Sequence, residues 1–152
     1  MTVAARRDRA PAGAEPAAAY VLDEQVGFIL RQASQRHASL FAARLGDITP
    51  TQWATLSKLY EVGPTSQNRL GRLTAMDVAT IKGVVDRLMK RGFVRSEADD
   101  ADARRRLLAL TDEGSAFVAA NFPDAFAVSA ETLAPLSARE RAIFLTLLAK
   151  LT

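Results

Sequence analysis

Residues 66–114 constrain the fold of this chain more than any other stretch of its sequence. In the middle of the stretch, apolar residues fall at i, i+3, i+4 and i+7, which is the period of one helix face: Ile81, Val84, Val85 and Leu88. A shorter helical segment and a tight turn precede this helix, and two strand patterns follow it. That order is typical of the winged form of the helix-turn-helix, whose second helix enters the major groove of DNA.

Local signals predict where these elements begin and end. Ser66 and Asp77 are candidate N-caps of the shorter and the longer helix, because their side-chain oxygens can accept unpaired backbone N–H groups. Gly92 predicts the C-terminal end of the longer helix. Two strands are predicted over 93–95 and 106–110, with a charged loop between them.

The outer face of the longer helix is the predicted DNA-reading surface. At about 100° per residue, the small residues Ala79 and Gly83 lie opposite the apolar stripe. A glycine inside a helix costs about 1 kcal/mol relative to alanine. Close approach to a groove floor would explain Gly83, and contact with another helix is the alternative. The predicted DNA-contacting residues of the two helices are Gln67, Asn68, Arg69, Val78, Ala79, Thr80, Lys82, Gly83 and Arg87.

The charged segment that follows is the predicted wing. A charged hairpin tip directly after a helix-turn-helix can lie along the DNA backbone and insert an arginine into the minor groove. Asp102, Arg104 and Arg105 are therefore added to the DNA-contacting set. A solvated loop is the alternative for any charge run. Asp99, Asp100 and Asp102 do not predict a metal site, because calcium needs more oxygen ligands than this trio offers.

Several motifs in this stretch resemble the multiple antibiotic resistance regulator (MarR) family. The most specific are Asp102-Ala103-Arg104 in the wing and Leu110-Thr111-Asp112-Glu113-Gly114 directly after it. The resemblance extends over residues 21–152 and implies a dimeric transcriptional regulator, expected to be a repressor on a pseudo-palindromic DNA site. It also implies that Arg104 enters the minor groove while Asp102 braces it.

The chain on either side of the winged unit predicts long helices. Residues 20–45 and 137–152 carry apolar stripes that exceed what one small winged domain can bury. Residues 20–45 and 112–152 are therefore predicted to be dimerisation helices around a winged helix-turn-helix at 48–111. The expected fold class is mainly α with a small β-hairpin wing.

The same residues predict a simple domain organisation. Residues 20–152 are expected to form a single domain. Residues 1–19 are rich in alanine and proline and are expected to form a disordered tail.

Composition excludes several other classes of protein. The 152 residues carry a net charge of +3, which permits nucleic acid as a partner without requiring it. One histidine and no cysteine leave no zinc site and no thiol chemistry. No glycine-rich phosphate loop or catalytic triad is present, so neither enzyme activity nor a cofactor is expected. Without a secretory signal or an apolar run of about 20 residues, the chain is expected to be cytoplasmic and not membrane-bound.

The family resemblance implies a second site, which binds a small molecule. Strings within 30–37 and 66–83 look like the subgroup that represses nicotinate degradation, and this implies an aromatic acid such as 6-hydroxynicotinate as effector. An aromatic carboxylate needs a cation or several donors and an apolar wall. The predicted ligand-binding residues are Arg31, Gln35, His37 and Trp53. His37 or Arg31 would meet the carboxylate, and the alternatives are a solvated Arg31 and a core role for His37 and Trp53.

Two other functions fit the same pattern. A DNA-binding structural protein without small-molecule control would bind DNA tightly in the presence of any aromatic acid. A winged-helix adaptor would contact protein instead of DNA, and would show no salt-dependent affinity for DNA.

Overall fold

The computed structural model describes residues 20–152, so the tail predicted at 1–19 lies outside the described residues. The chain divides into two compact units, one ending at Ala33 and the other comprising Ser34–Thr152. The predicted grouping of 20–152 into one domain stays a prediction.

The first long helix is shorter than predicted. A single turn of 3-10 helix covers Leu22–Glu24, and helix α1 covers Val26–Arg44. Between them, Gln25 has an extended backbone (φ −84°, ψ 129°), and its side-chain Nε2 donates to the Val21 carbonyl at 2.8 Å. The helix predicted over 20–45 therefore begins only after this turn, because an extended residue cannot continue a helical hydrogen-bond pattern.

Three helices form the helix-turn-helix, and each begins at a side-chain cap. Their bounds are α2 (Pro50–Val62), α3 (Gln67–Leu73) and α4 (Val78–Lys90). The predicted caps Ser66 and Asp77 are confirmed, since they accept the backbone N–H of Arg69 and Thr80. Thr49 caps α2 and forms a reciprocal capping box with Gln52.

The apolar stripe of α4 is the centre of the core. Its four predicted residues are each at most 2% exposed, and they pack in one cluster with Leu56, Leu70 and Val118. The helix ends at Lys90, and Gly92 stops it as predicted, because its φ of +77° is a conformation that glycine adopts without strain. This packing confirms the amphipathic prediction, and it turns the opposite face of α4 away from the core.

The hairpin is longer than predicted. Strand β1 covers Val94–Asp99 and strand β2 covers Asp102–Leu110, paired antiparallel with Val94 opposite Leu110 and an irregularity next to Ala98. Only 93–95 and 106–110 were expected as strands, because the residues nearer the tip are charged. Charged side chains do not prevent pairing here, because the ladder satisfies backbone groups while the side chains stay in solvent. Thr65 adds a short bridge to Leu108.

Two further helices complete the chain. Helix α5 covers Asp112–Thr132 and α6 covers Ala138–Leu148, followed by one 3-10 turn at Ala149–Leu151. α5 continues through Pro123 without a break. The fold is thus mainly helical with one β-hairpin, as predicted. None of the helices within residues 20–152 has both the length and the apolarity needed to cross a membrane.

Candidate functional site

The outward face of α4 is open and carries half of the predicted DNA-contacting residues. Val78 is 68% exposed, and Gly83 is partly covered. Also exposed on α4 are Ala79, Thr80, Lys82 and Arg87. On α3, Asn68 and Arg69 are exposed and Gln67 is half-buried. The first turns of both helices are therefore accessible to a large partner.

Gly83 meets no neighbouring helix. A Cβ atom built at this position would have one contact in the described part of the chain, with Arg87 Nη2 at 3.5 Å. That is ordinary van der Waals distance to the end of a flexible side chain. Internal packing therefore does not require glycine here, and this geometry favours close approach to a partner over contact with another helix.

Two charged side chains on α4 form a weak ion pair. Lys82 Nζ lies 2.9 Å from Asp86 Oδ2, and both side chains are more than half exposed. An exposed pair at i and i+4 contributes about 0.3–0.5 kcal/mol. Lys82 can therefore exchange this carboxylate for a phosphate at little cost.

Asp102 braces the tip of the hairpin through the backbone. Its Oδ1 accepts the backbone N–H of Arg104 at 3.0 Å, while the Arg104 side chain is exposed. The predicted bracing of the Arg104 guanidinium itself stays a prediction. Arg105 Nε lies 3.9 Å from Asp99 Oδ2 across the turn. The arrangement fixes where Arg104 leaves the hairpin, and within residues 20–152 its guanidinium has no side-chain partner.

Two other arginines of the hairpin form hydrogen bonds with residues of the hairpin itself. Arg106 donates from Nε to Ser96 Oγ and from Nη2 to the Ser96 carbonyl, both at 3.1 Å. Arg95 pairs with Glu97 and also donates to the Leu110 carbonyl. Both arginines lie in the predicted strands, whereas Arg104 and Arg105 lie in the predicted loop, but only the strand register shows which partners Arg95 and Arg106 reach.

The Leu-Thr-x-x-Gly motif forms the joint between the hairpin and α5. Thr111 Oγ1 donates to the Gly92 carbonyl at 2.6 Å and accepts the Gly114 N–H at 3.0 Å. A Cβ atom on Gly114 would lie 2.1 Å from the Phe93 carbonyl oxygen. The motif therefore lets the start of α5 pack directly on the backbone before β1, which fixes the hairpin relative to α5.

The predicted ligand-binding residues lie in different surroundings. His37 is half-buried, and its Nδ1 lies 2.9 Å from Thr132 Oγ1 on α5. Trp53 is half-buried and packs edge-on against Phe122 of α5, with ring centroids 6.1 Å apart. Gln35 and Arg31 are exposed on α1. The structure thus brings His37 and Trp53 each against α5.

An ion-pair network between α1 and α5 was not foreseen from the sequence. Arg44 pairs with Asp124 at 3.3 Å and with Glu131, and Arg36 Nη2 donates to the Glu131 carbonyl at 2.8 Å. The hydrogen bond from Arg44 lowers the pKa of Glu131. The same pairing raises the pKa of Arg44. These contacts join the second half of α1 to α5 next to His37.

Acidic residues and histidine do not cluster as a metal site would need. Within residues 20–152, no group of three or more such side chains is placed to hold an ion. The chemistry of the site is therefore that of the exposed arginines and lysines and of the polar groups around His37.

Comparison with known proteins places this geometry in a family. The model of the MarR family matches residues 48–105, which run from α2 into the wing. The HTH-type transcriptional repressor NicR of Pseudomonas putida is 40% identical over 134 residues, which cover 87% of this chain and 85% of NicR.

Two solved structures agree with this assignment. A probable transcriptional regulator from Pseudomonas aeruginosa is 53% identical, with a TM-score of 0.82 over 87% of this chain and 100% of that one. BpsR of Bordetella bronchiseptica, whose DNA binding is regulated by 6-hydroxynicotinic acid, is 36% identical, with a TM-score of 0.83 over 88% of this chain and 96% of BpsR. The chain therefore belongs to the MarR family of winged helix-turn-helix, DNA-binding transcriptional regulators.

Proposed function

We propose that this protein is a dimeric repressor that is released from a pseudo-palindromic operator by a small aromatic acid, with 6-hydroxynicotinate as the first candidate. The observation that carries the proposal is the 40% identity with the repressor NicR over 85% of its length. The 36% identity with BpsR, which responds to 6-hydroxynicotinic acid, supports the choice of effector.

The DNA-binding half of the proposal is supported by the open face of α4 and the free Arg104. The exposed first turn of α4 suits the major groove, and the hairpin tip suits the adjacent minor groove. Thr80 and Lys82 supply hydrogen-bond donors on this face. Because Ala79 and Gly83 cannot form side-chain hydrogen bonds, part of the specificity comes from the shape of the DNA.

Dimerisation is supported by the apolar surface of α6 and of the 3-10 turn that follows it. Leu147 is 54% exposed and Leu151 is 71% exposed, and Ile143, Phe144 and Leu145 are also exposed large apolar residues. So many exposed large apolar side chains on one short segment favour an interface. In a two-fold dimer, the same surface of each subunit covers that of the other. The two α4 helices would then lie about 34 Å apart, which is one turn of DNA.

Control by an effector is supported by the contacts between α1, α2 and α5. A ligand that binds beside His37 or Trp53 would contact a side chain that packs on α5, which the Thr111–Gly114 joint connects to the hairpin. Arg31 and Gln35 remain predicted partners of its polar groups. A preference for the non-binding arrangement of about 1–3 kcal/mol is enough to weaken DNA binding by a factor of about 5–150.

An electrophoretic shift of the DNA upstream of its own gene tests the proposal. We expect a specific complex that is absent with a duplex of scrambled sequence, and we expect 6-hydroxynicotinate to dissolve it. Nicotinate, benzoate and acetate serve as matched acids. A complex that resists every acid would favour a DNA-binding structural protein, and the absence of any salt-dependent complex would favour an adaptor. Either result would contradict the proposed function.

A further inference from the structure

His37 is the single histidine of the chain, and the structure determines which of its ring nitrogens carries the hydrogen. Its Nδ1 lies 2.9 Å from Thr132 Oγ1. An imidazole nitrogen either donates or accepts, depending on the tautomer, and a threonine hydroxyl can do both. The direction of this bond therefore depends on the other bond that Thr132 makes.

The hydroxyl hydrogen of Thr132 is used within its own helix. Thr132 Oγ1 lies 2.7 Å from the carbonyl oxygen of Val128, which can only accept a hydrogen bond. Since a hydroxyl has one hydrogen, Oγ1 must accept from His37, and Nδ1 must be the donor. The neutral imidazole then carries its free lone pair on Nε2. Among the residues that the structure describes, no hydrogen-bond partner is present for Nε2.

The charged groups next to this pair have other partners. Glu131, the neighbour of Thr132, is paired through its carboxylate with Arg44, and its backbone carbonyl accepts from Arg36. The Glu131 carboxylate is thus engaged by an arginine of α1. With its hydrogen on Nδ1, an imidazole offers Nε2 as an acceptor.

We propose that Thr132 is a positioning residue that holds the hydrogen of His37 on Nδ1, so that Nε2 accepts a hydrogen bond from the ring hydroxyl or lactam N–H of a hydroxylated aromatic acid. The assignment rests on the proposed function, because it names the part of the effector that this site recognises. A carboxylate has only acceptors, so this proposal assigns His37 to the ring hydroxyl or lactam N–H, whereas the sequence led us to expect that His37 meets the carboxylate. Thr132 therefore sets the preference for hydroxylated over unhydroxylated acids, since a site built for one donor discriminates against an analogue that lacks it.

Nitrogen NMR of the imidazole tests the orientation directly. Tag-free, full-length protein labelled with 15N-histidine gives signals from His37 alone, and at pH 8.5 an ordinary imidazole is neutral. We expect the wild type and Thr132→Ser to show a protonated Nδ1 and an unprotonated Nε2. Thr132→Val, which keeps the branched shape but lacks the hydroxyl, should shift the signals towards a mixture of tautomers. A wild-type spectrum with the proton on Nε2 would overturn the proposal.

Calorimetric titration with 6-hydroxynicotinate and nicotinate tests recognition. The wild type should prefer 6-hydroxynicotinate, and Thr132→Val should reduce that preference by about 2- to 10-fold, the value of one hydrogen bond. Thr132→Ser should keep it. An unchanged preference in Thr132→Val, or an equal loss in both variants, would overturn the role of Thr132.

The same titration separates the proposed effector from the proposed acceptor role of Nε2. Binding of neither acid by the wild-type protein would overturn the proposed effector and, with it, the acceptor role of Nε2, even where the spectrum shows the proton on Nδ1. Binding of both acids with equal affinity would overturn only the acceptor role, because an aromatic acid effector would still be present.

Discussion

Two glycines show how the surroundings of a residue decide its role. Gly83 and Gly114 both lie in helices, but a Cβ atom would meet only the flexible Arg87 side chain at Gly83 and the rigid Phe93 carbonyl at Gly114. The fold therefore requires glycine at position 114. At Gly83, no packing contact within residues 20–152 requires glycine, which agrees with the predicted close approach of this face to DNA.

The substitution Gly83→Leu should abolish DNA binding without weakening the fold. Leucine favours the helix over glycine by up to about 1 kcal/mol, so the melting temperature should stay unchanged or rise. The added side chain would keep α4 from the groove floor. Thermal melting and a DNA-binding isotherm of the same preparation measure both effects. Unchanged affinity for DNA would show that this face does not enter the groove.

The substitution Gly114→Ala should weaken the fold, unlike Gly83→Leu. The new methyl group would lie 2.1 Å from the Phe93 oxygen, so the start of α5 has to move away from the hairpin. We expect the free energy of unfolding to fall by about 1–3 kcal/mol, which is typical of overpacking. Ser115→Ala, one residue along the same helix turn, is a suitable control. Chemical denaturation that gives equal stability for the two variants would contradict this packing.

At the scale of elements, the bounds of the two reading-unit helices α3 and α4 were predictable from the sequence. The bounds of the hairpin strands were less so. Apolar spacing and caps such as Ser66 and Asp77 act within a few residues, so the bounds of α3 and α4 follow from local sequence. Strand length depends on the partner strand, and the ladder therefore extends beyond what the charged residues of the wing suggested.

The candidate site shows the same division between local and distant contacts. The exposed face of α4 follows from its own periodicity. The partner of His37 lies 95 residues away in the chain, and that of Arg44 lies 87 residues away, so neither contact has a local signal.

The wing turn gives a test at this scale. Asp102→Asn keeps a side-chain oxygen that can accept the Arg104 N–H but removes a negative charge near the phosphates, so DNA affinity should stay equal or increase. Asp102→Ala removes the acceptor and should weaken binding by about 2- to 10-fold, the value of one hydrogen bond. Fluorescence anisotropy at one salt concentration compares the variants. Equal weakening in both would mean that the carboxylate charge, acting on the guanidinium, is what DNA binding requires.

At the scale of the whole molecule, the exposed apolar face of α6 predicts that the subunit is incomplete alone. Each large apolar side chain that becomes buried contributes about 1.5–3 kcal/mol. Replacing Leu147 and Leu151 by aspartate should therefore produce monomers, seen by light scattering, and should strongly weaken operator binding. Lys150→Asp changes the charge on the same segment without removing apolar surface. A double variant that remains a dimer and binds the operator as the wild type does would place the interface elsewhere.

A repressor that an aromatic acid releases must couple its DNA-binding site to its acid-binding site, and this coupling can be measured from either side. If the acid weakens operator binding by a given factor, the operator must weaken binding of the acid by the same factor. We therefore propose to titrate 6-hydroxynicotinate calorimetrically into the free protein and into its complex with the DNA upstream of its gene. We expect an affinity for the acid about 5- to 150-fold lower in the complex, matching the loss of DNA affinity measured separately. Equal affinity for the acid in the free and the DNA-bound protein would contradict this coupling.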